Sequence, residues 1–322
     1  MVMAGDKSVY VLDPYHEDAI ALLQSTPNLN VILPDTPAKS EWKTKADGVI
    51  LRSETRLTAE DFRQCTRLKV IVKQGVGVDN IDLAAAKGCD IAVHNTPALN
   101  AESVAELTLA LAFSLSRRVI EIDRRIRKGE KVVRSQTLGL SLFRKTVGVV
   151  GMGNIGRVAA RKWIGACDST IVGFDPMAPE DAWSDIPHKR VTELDDLLKQ
   201  SDVITLHVPL TNGTRGMIGA KEFAIMKDRA ILINAARGGV VDEKALLQEL
   251  KKGRIWGAVL DAMEVEPPTV EAYSEFFELD NVIMTPHIGA STIENQSNSG
   301  IAVVKTLLAV LDGDPDAPGK LV

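Results

Sequence analysis

Cysteine is scarce in this chain. The three among its 322 residues, Cys65, Cys89 and Cys167, stand far apart and form no CxxC pair. An odd, scattered set builds neither a disulfide framework nor a zinc site, and no metal is expected; the simplest setting is a reducing compartment. Long apolar runs are missing as well. No stretch reaches the ~18 apolar residues of a membrane span. The opening MVMAGDKSVYVLDP lacks the apolar centre of a secretory leader. These absences together predict a cytoplasmic protein. Excess positive charge is also absent, since 38 Lys and Arg face 43 Asp and Glu, a net charge of −5. A general binder of nucleic acid or anionic membrane would need a basic face. Small anionic ligands remain open, because a pocket can be basic on an acidic protein. Neither a fixed-period repeat nor a low-complexity segment interrupts the chain.

What is present is alternation. The length suits two domains. Short apolar runs at SVYVLDP (8–14), NVILPD (30–35), GVILRS (48–53), LKVIVKQG (68–75) and DIAVHN (90–95) alternate with amphipathic stretches such as HEDAIALLQS and NIDLAAAKG. A second series follows at KTVGVVG (145–151), STIVGFD (169–175), DVITLHV (202–208), AILINAA (230–236), WGAVLDA (256–262) and NVIMTP (281–286). Nearly continuous apolar strands separated by helices predict an α/β chain with two parallel-sheet domains and right-handed crossovers. Between the series, residues 100–129 read as one long helix or two close ones, capped by Asn100 or Ser103 and ended by Gly129. Apolar residues occupy more than one face of this segment, which suits either a core helix or a subunit interface.

Ligands of parallel sheets sit beyond the carboxyl ends of strands. In the second series the residues there are Gly151, Asp175, His207, Arg237, Asp261 and His287. The loop VGMGNIGRVAARKW carries Gly151, Gly153 and Gly156 in the G-x-G-x-x-G spacing. A strand precedes it and a helix follows, as a pyrophosphate cradle at a helix N-terminus requires. Asp175 ends the next strand at about the ~20-residue spacing expected of a ribose-binding carboxylate, which favours NAD over NADP. The rival reading is a glycine-rich turn plus an unrelated aspartate.

Hydride exchange with a 2-oxo acid needs a cation for the carboxylate and an acid for the carbonyl oxygen. Arg237, at the tip of AILINAA, offers a bidentate guanidinium; a surface turn with a solvated charge is the alternative. A histidine titrates near working pH, and a neighbouring carboxylate would orient it. Asp261, Glu264 and Glu266 follow one strand and His287 another. His94 and His207 also end strands, so position alone leaves them as rivals; His16 and His188 read as surface and loop residues.

The motifs GMGNIG, INAARGGVVDEKAL, LDAMEVEPP and VIMTPHIGAST, with VKQGVGVDNIDLAAAKG and VHNTPALNAESVAELTLAL before them, resemble in that order the D-isomer-specific 2-hydroxyacid dehydrogenase family. The likeness covers essentially the whole chain, and its nearest branch looks like the D-3-phosphoglycerate dehydrogenases. It implies a Rossmann NAD domain (100–290) inserted into a discontinuous flavodoxin-like substrate domain (1–99 and 291–322), with the two closing by hinge motion. It also implies a homodimer formed through 100–129. By the resemblance, Arg237 holds the substrate carboxylate, His287 is the acid–base residue in preference to His207, and Glu266 is its partner. Asp261 would contact the nicotinamide amide. Gly151, Gly153, Asn154, Ile155, Gly156, Asp175, Val208, Pro209, Ala235, Gly289 and Ala290 match other cofactor contacts. Gly75, Val76 and Gly77 match the loop whose amides face the substrate. Gly238 and Gly239 would leave room for nicotinamide and substrate beside Arg237.

The likeness weakens around a substrate phosphate. Arg52 matches one basic residue, with pairing to Glu54 or Asp61 as its plain alternative. Gln74 stands where a second arginine is common, and Lys73 beside it reads as a solvated strand end that would compensate if it faced the ligand. Many serine-pathway relatives carry a C-terminal regulatory domain. This chain stops soon after the core, so feedback by serine through such a domain is not expected. The expected reaction is NAD-dependent oxidation of 3-phosphoglycerate. Reduction of glyoxylate or hydroxypyruvate is the sister reading, and a dinucleotide-sensing corepressor-like protein is a distant third.

Overall fold

The computed structural model describes residues 7–322. The described residues form two compact units, one of residues 7–100 with 290–322 and one of residues 101–289. Residues 1–6, which the predicted substrate domain includes, lie outside the described residues.

The first unit carries β1 (Lys7–Val11), β2 (Leu29–Ile32), β3 (Gly48–Leu51), β4 (Val70–Lys73) and β5 (Ala92–Asn95), with α1 (Glu17–Ser25), α2 (Trp42–Lys45), α3 (Ala59–Arg63) and α4 (Leu83–Gly88) between them. Its strands pair in parallel in the order β2-β1-β3-β4-β5, the flavodoxin-like winding, which reverses between β1 and β3. The chain runs out into the second unit and returns to this one as a C-terminal helix.

The second unit opens with α5 (Ala101–Ser116) and α6 (Val119–Arg127). It continues through β6 (Thr146–Val150), α7 (Asn154–Cys167), β7 (Thr170–Phe174), β8 (Lys189–Arg190), α8 (Leu194–Gln200), β9 (Val203–Leu206), α9 (Ala220–Ile225), β10 (Ile231–Asn234), α10 (Glu243–Lys252), β11 (Gly257–Leu260), α11 (Val270–Phe277) and β12 (Val282–Met284). The sheet order is β12-β11-β10-β9-β6-β7-β8, every pair parallel. This is the doubly wound Rossmann order, and its switch point lies between β6 and β9. The first unit is completed by α12 (Ile293–Leu311), whose N-cap Thr292 accepts from Asn295 N.

Every residue of β3, β4, β9, β10 and β11 is buried. Helices cover both faces of each sheet, which is why these strands read as continuous apolar runs. Alternate residues feed opposite layers. Val150, Ile204, Leu206 and Leu232 join one apolar cluster of the second unit, and Val149, Val203, Ile231 and Ile233 join the other. The two-residue edge strand β8 consists of one lysine and one arginine and so carries no apolar signature.

The 100–129 segment resolves into two helices, broken at Arg118, whose φ is +58°. The apolar content of α5 belongs to the core: Ala105, Leu109, Ala112 and Leu115 pack in the cluster that holds Trp163 and Val149. Of the exposed large apolar side chains of this region, Phe113 lies on α5 and the others come later, at Val119, Ile126, Val133, Leu138 and Phe143.

Candidate active site

Three neighbouring strands of the second unit deliver Arg237, Asp261 and His287 just past their carboxyl ends. The pin between the first two is Asn234, the last residue of β10, which is 1% exposed. Its Nδ2 donates to the carbonyls of Arg237 and Ala262, each at 3.0 Å, and its Oδ1 accepts from Ala236 N at 3.1 Å. A buried amide that satisfies three backbone groups leaves the Arg237 turn one arrangement. The Arg237 guanidinium donates to the Ala236 carbonyl at 2.7 Å.

The glycines after Arg237 do a different job from the one expected. A Cβ on Gly238 would collide with the carbonyl of Met263 and crowd Glu264 N. Gly238 therefore lets the arginine turn press against the backbone of the next loop, and Gly239 supplies a left-handed φ of +81°. Neither is a gap reserved for ligand.

His287 reaches Glu266 Oε2 from Nδ1 at 2.9 Å. Glu266 Oε1 accepts from Met263 N at 3.0 Å. Burial alone would raise the Glu266 carboxyl, but the hydrogen bonds from His287 and Met263 N–H, with the charges of His287 and Arg237, outweigh it and hold the group below the usual carboxylate value. His287 itself adopts a left-handed backbone, φ +56°. Such a conformation costs a non-glycine residue about 1–3 kcal/mol and persists because the surroundings dictate it. Asp261, fully buried, does that. Its Oδ1 accepts from Thr285 Oγ1 at 2.7 Å and Ile288 N at 2.8 Å, and its Oδ2 from Gly289 N at 2.9 Å. The carboxylate therefore braces both sides of the histidine.

At the switch point of the same sheet, Gly151 turns with φ +99°, and a Cβ there would strike the His207 carbonyl. At Gly153, the N-cap of α7, a Cβ would meet nothing within 4 Å. Open space before the free amides of Asn154, Ile155 and Gly156 fits a pyrophosphate. Asp175 Oδ2 accepts from Met152 N at 2.9 Å, so the carboxylate is tied to the glycine loop. Val208 and Pro209 follow β9, and Ala235 follows β10. Arg190, which the sequence reading overlooked, steadies the loop beyond Asp175 by donating to the carbonyls of Asp175 (3.0 Å), Ala178 (2.7 Å) and Pro179 (2.6 Å). These residues fit a dinucleotide.

In the first unit Arg52 follows β3. Its backbone N donates to Asp13 Oδ2 at 2.6 Å and its Nη1 to the Pro14 carbonyl at 3.2 Å. Asp61, a suggested partner for it, pairs instead with Lys43 at 2.7 Å. Lys73 is not solvated as expected; it is buried, 6% exposed, at the end of β4. Gly75 turns with φ +102°, and its N donates to Thr96 Oγ1 at 2.7 Å. Val76 and Gly77 continue this turn. Gln74 is also buried, and its Nε2 donates to Ser299 Oγ at 2.6 Å and Gln296 Oε1 at 3.1 Å on α12. The Ala290 carbonyl accepts from Asn295 Nδ2 at 2.6 Å, and Ala290 itself falls in this unit, one residue from the expected boundary.

The rival histidines are engaged elsewhere. His94 Nδ1 lies 2.8 Å from the Pro318 carbonyl. His207 Nε2 lies 2.9 Å from Thr205 Oγ1, and burial pushes the ring down to about 4. Among the described residues no cluster of His, Cys, Asp and Glu is suited to a metal ion, and no helix is long and apolar enough to cross a membrane.

Residues 109–289 match the family model of the NAD binding domain of D-isomer-specific 2-hydroxyacid dehydrogenases. The chain is 41% identical over 307 residues to the D-3-phosphoglycerate dehydrogenase of Methanocaldococcus jannaschii, covering 95% of this chain but 58% of that protein. It is 40% identical to the hydroxypyruvate reductase of Thermotoga maritima over 94% of this chain and 98% of that one. A solved D-lactate dehydrogenase from Aquifex aeolicus, complexed with NAD and lactic acid, superposes with a TM-score of 0.83 at 33% identity, covering 97% of both chains.

Proposed function

The chain belongs to the D-isomer-specific 2-hydroxyacid dehydrogenase family, and on that premise we propose that it is an NAD-dependent oxidoreductase interconverting a D-2-hydroxy acid and its 2-oxo acid. The observation that carries the reading is the Glu266–His287 contact at 2.9 Å, on the sheet edge that also presents Arg237 and the glycine loop. Bound NAD would accept the hydride from C2. Arg237 grips the substrate carboxylate through its guanidinium fork. His287 takes the hydroxyl proton at Nε2 as the hydride leaves, and returns it in the reverse direction. Glu266 holds Nδ1–H and stabilises the imidazolium that forms.

For the cofactor, Gly151, Gly153, Asn154, Ile155 and Gly156 take the pyrophosphate and Asp175 the adenosine ribose. Val208, Pro209, Ala235, Asp261, Gly289 and Ala290 supply the remaining contacts. Asp261 already accepts three hydrogen bonds, so its main service is to the histidine loop and only one lone-pair direction is left for the nicotinamide amide. For the substrate, the Gly75–Gly77 turn offers the amides of Val76 and Gly77, with Gly75 N tied to Thr96, and Arg52 and Lys73 offer cations to a distal phosphate. We assign 3-phosphoglycerate as the leading substrate. The engagement of Gln74 with α12 favours a second reading, reduction of unphosphorylated hydroxypyruvate or glyoxylate, since that side chain is committed away from any anion. The protein is proposed to act as a homodimer through the exposed apolar residues of α6 and the segment after it.

A panel of 2-hydroxy and 2-oxo acids, with and without phosphate, assayed with NAD and NADP, tests the proposal. Robust NAD-linked turnover of one D-2-hydroxy acid is expected. Tight NADH binding without turnover of any of them would refute it.

A further inference from the structure

Three consecutive backbone N–H groups in the loop that carries Glu266 are each held by a side chain. Met263 N donates to Glu266 Oε1 at 3.0 Å, Glu264 N to Glu243 Oε1 at 2.8 Å, and Val265 N to the Tyr273 hydroxyl at 3.0 Å. The Tyr273 hydroxyl in turn donates to Glu243 Oε2 at 2.9 Å. Two of the three anchors come from outside the loop. Glu243 is the first residue of α10, and Tyr273 lies in α11 with its ring buried.

We propose that Glu243 and Tyr273 are a positioning pair that sets where Glu266 stands, and through Glu266 the ring of His287. The inference rests on the reading of Glu266 and His287 as the acid–base pair. Residues 264–267 are exposed, so the loop has little packing of its own to hold a carboxylate within the tolerance that proton transfer demands. Hydrogen bonds to rooted groups must supply it. Gly238 crowds the same Met263–Glu264 peptide that Glu243 holds, so the pair fixes the arginine turn and the glutamate loop together.

The Glu243 carboxylate is also an uncomfortable group to keep in place. Burial raises its pKa, and Glu264 and Glu266 add like charge, while hydrogen bonds from Glu264 N–H and Tyr273 act the other way. Its position at the first turn of α10 eases the charge. A leucine or glutamine would fill the space at lower electrostatic cost. The carboxylate gives one oxygen to the Glu264 amide and the other to the tyrosine hydroxyl, whereas a glutamine keeps an acceptor for the amide.

The test compares Tyr273→Phe, Glu243→Ala and Glu243→Gln with the wild-type protein. In Tyr273→Phe and Glu243→Ala, kcat should fall about 10-fold with KM within about twofold, as expected for misplacement rather than lost binding. Glu243→Gln should recover most of the loss, since its carbonyl oxygen still accepts from Glu264 N–H. In a Glu266→Gln background Tyr273→Phe should add little, because the two act through one group. A second readout needs no turnover. The titration of Glu266 is followed by carbon-13 NMR of glutamate-labelled protein, with His287, Arg237, Glu264 and Glu243 as the charges that face it. Its midpoint, held low in the wild type, should rise in Tyr273→Phe, which leaves the charges facing it unchanged, and should lie higher in Glu243→Ala than in Glu243→Gln, which lose the same charge. An unmoved Glu266 midpoint, or full additivity with Glu266→Gln, overturns the proposal. A moved midpoint in a protein that turns over no 2-hydroxy acid sinks the functional reading and leaves the positioning role standing. Should Tyr273→Phe fail to fold, the two Glu243 variants answer the same question.

Discussion

The contact between His287 Nδ1 and Glu266 Oε2, at 2.9 Å, decides which nitrogen of the ring is turned away from the carboxylate. A carboxylate that accepts from Nδ1–H fixes the tautomer and leaves Nε2 to exchange protons. Because the ring hangs from a backbone in the left-handed region, the same residue is a site of local strain.

That combination separates activity from stability at one position. His287→Asn should lower kcat about 100-fold or more, as loss of a general acid–base group does. Asparagine's short side chain can hydrogen-bond locally in the left-handed region, so thermal unfolding should show a Tm no lower than the wild type's. A large drop in Tm would mean that the ring packs as a structural element, and unchanged kcat would remove it from the mechanism.

Asn234 should matter about as much as the residues it holds. Asn234→Ala strands the carbonyls of Arg237 and Ala262 and the amide of Ala236. Leaving buried backbone groups unpaired costs about 1–3 kcal/mol each, although the local backbone can relax to recover part of it. Denaturant unfolding should register a loss of roughly 2–4 kcal/mol, and kcat/KM should fall because the guanidinium loses its fixed turn. Normal stability with normal kcat/KM would show that the turn holds itself.

His207 gives stability a pH dependence in a defined window. Burial takes its value from the ordinary 6.5 to about 4. As pH falls, the unfolded chain takes up this proton before the folded one. The stability His207 lends is therefore complete above about 6.5 and drains as pH falls toward about 4. The shift corresponds to something on the order of 3 kcal/mol. Urea unfolding at several pH values should show this slope in the wild type and a shallower one in His207→Asn. Parallel curves would assign the slope to other groups.

Asp175 should govern the choice of dinucleotide. Asp175→Ala removes the acceptor that Met152 N uses and the proposed ribose contact together. NADH fluorescence titration should show Kd raised about 10-fold, the cost of one charge-assisted hydrogen bond, with discrimination against NADPH reduced. Equal affinities before and after the change would place the ribose elsewhere.

Much of this was legible because the signals are local. Continuous apolar runs revealed strands buried on both faces. The residue after each run was worth reading because parallel sheets gather ligands there, and that is how Arg237, Asp261 and His287 came forward. What escaped is the second ring of residues. Asn234 looked like the polar end of an apolar strand, and only its three backbone partners give it meaning. Glu243 sits on the helix before β11 and Tyr273 on the helix directly after the loop they hold, and no spacing rule links them. Lys73 read as solvated because a lysine at a strand end usually is; burial of that end depends on long-range packing. The purpose of Gly238 was misread for the same reason, since the backbone it presses against lies a full βα unit further along the chain.

The crowding at Gly238 has a bearing on how such a protein can change. The arginine turn and the glutamate loop touch through bare backbone, with no side chain between them to be traded for a larger or smaller one. Variation at that seam has nowhere to go except failure. A lineage, or a laboratory library, seeking a new substrate would find its tolerated substitutions among the residues proposed to face the substrate, Arg52 and Lys73, and at Gln74 beside them, while the seam passes unchanged from parent to descendant.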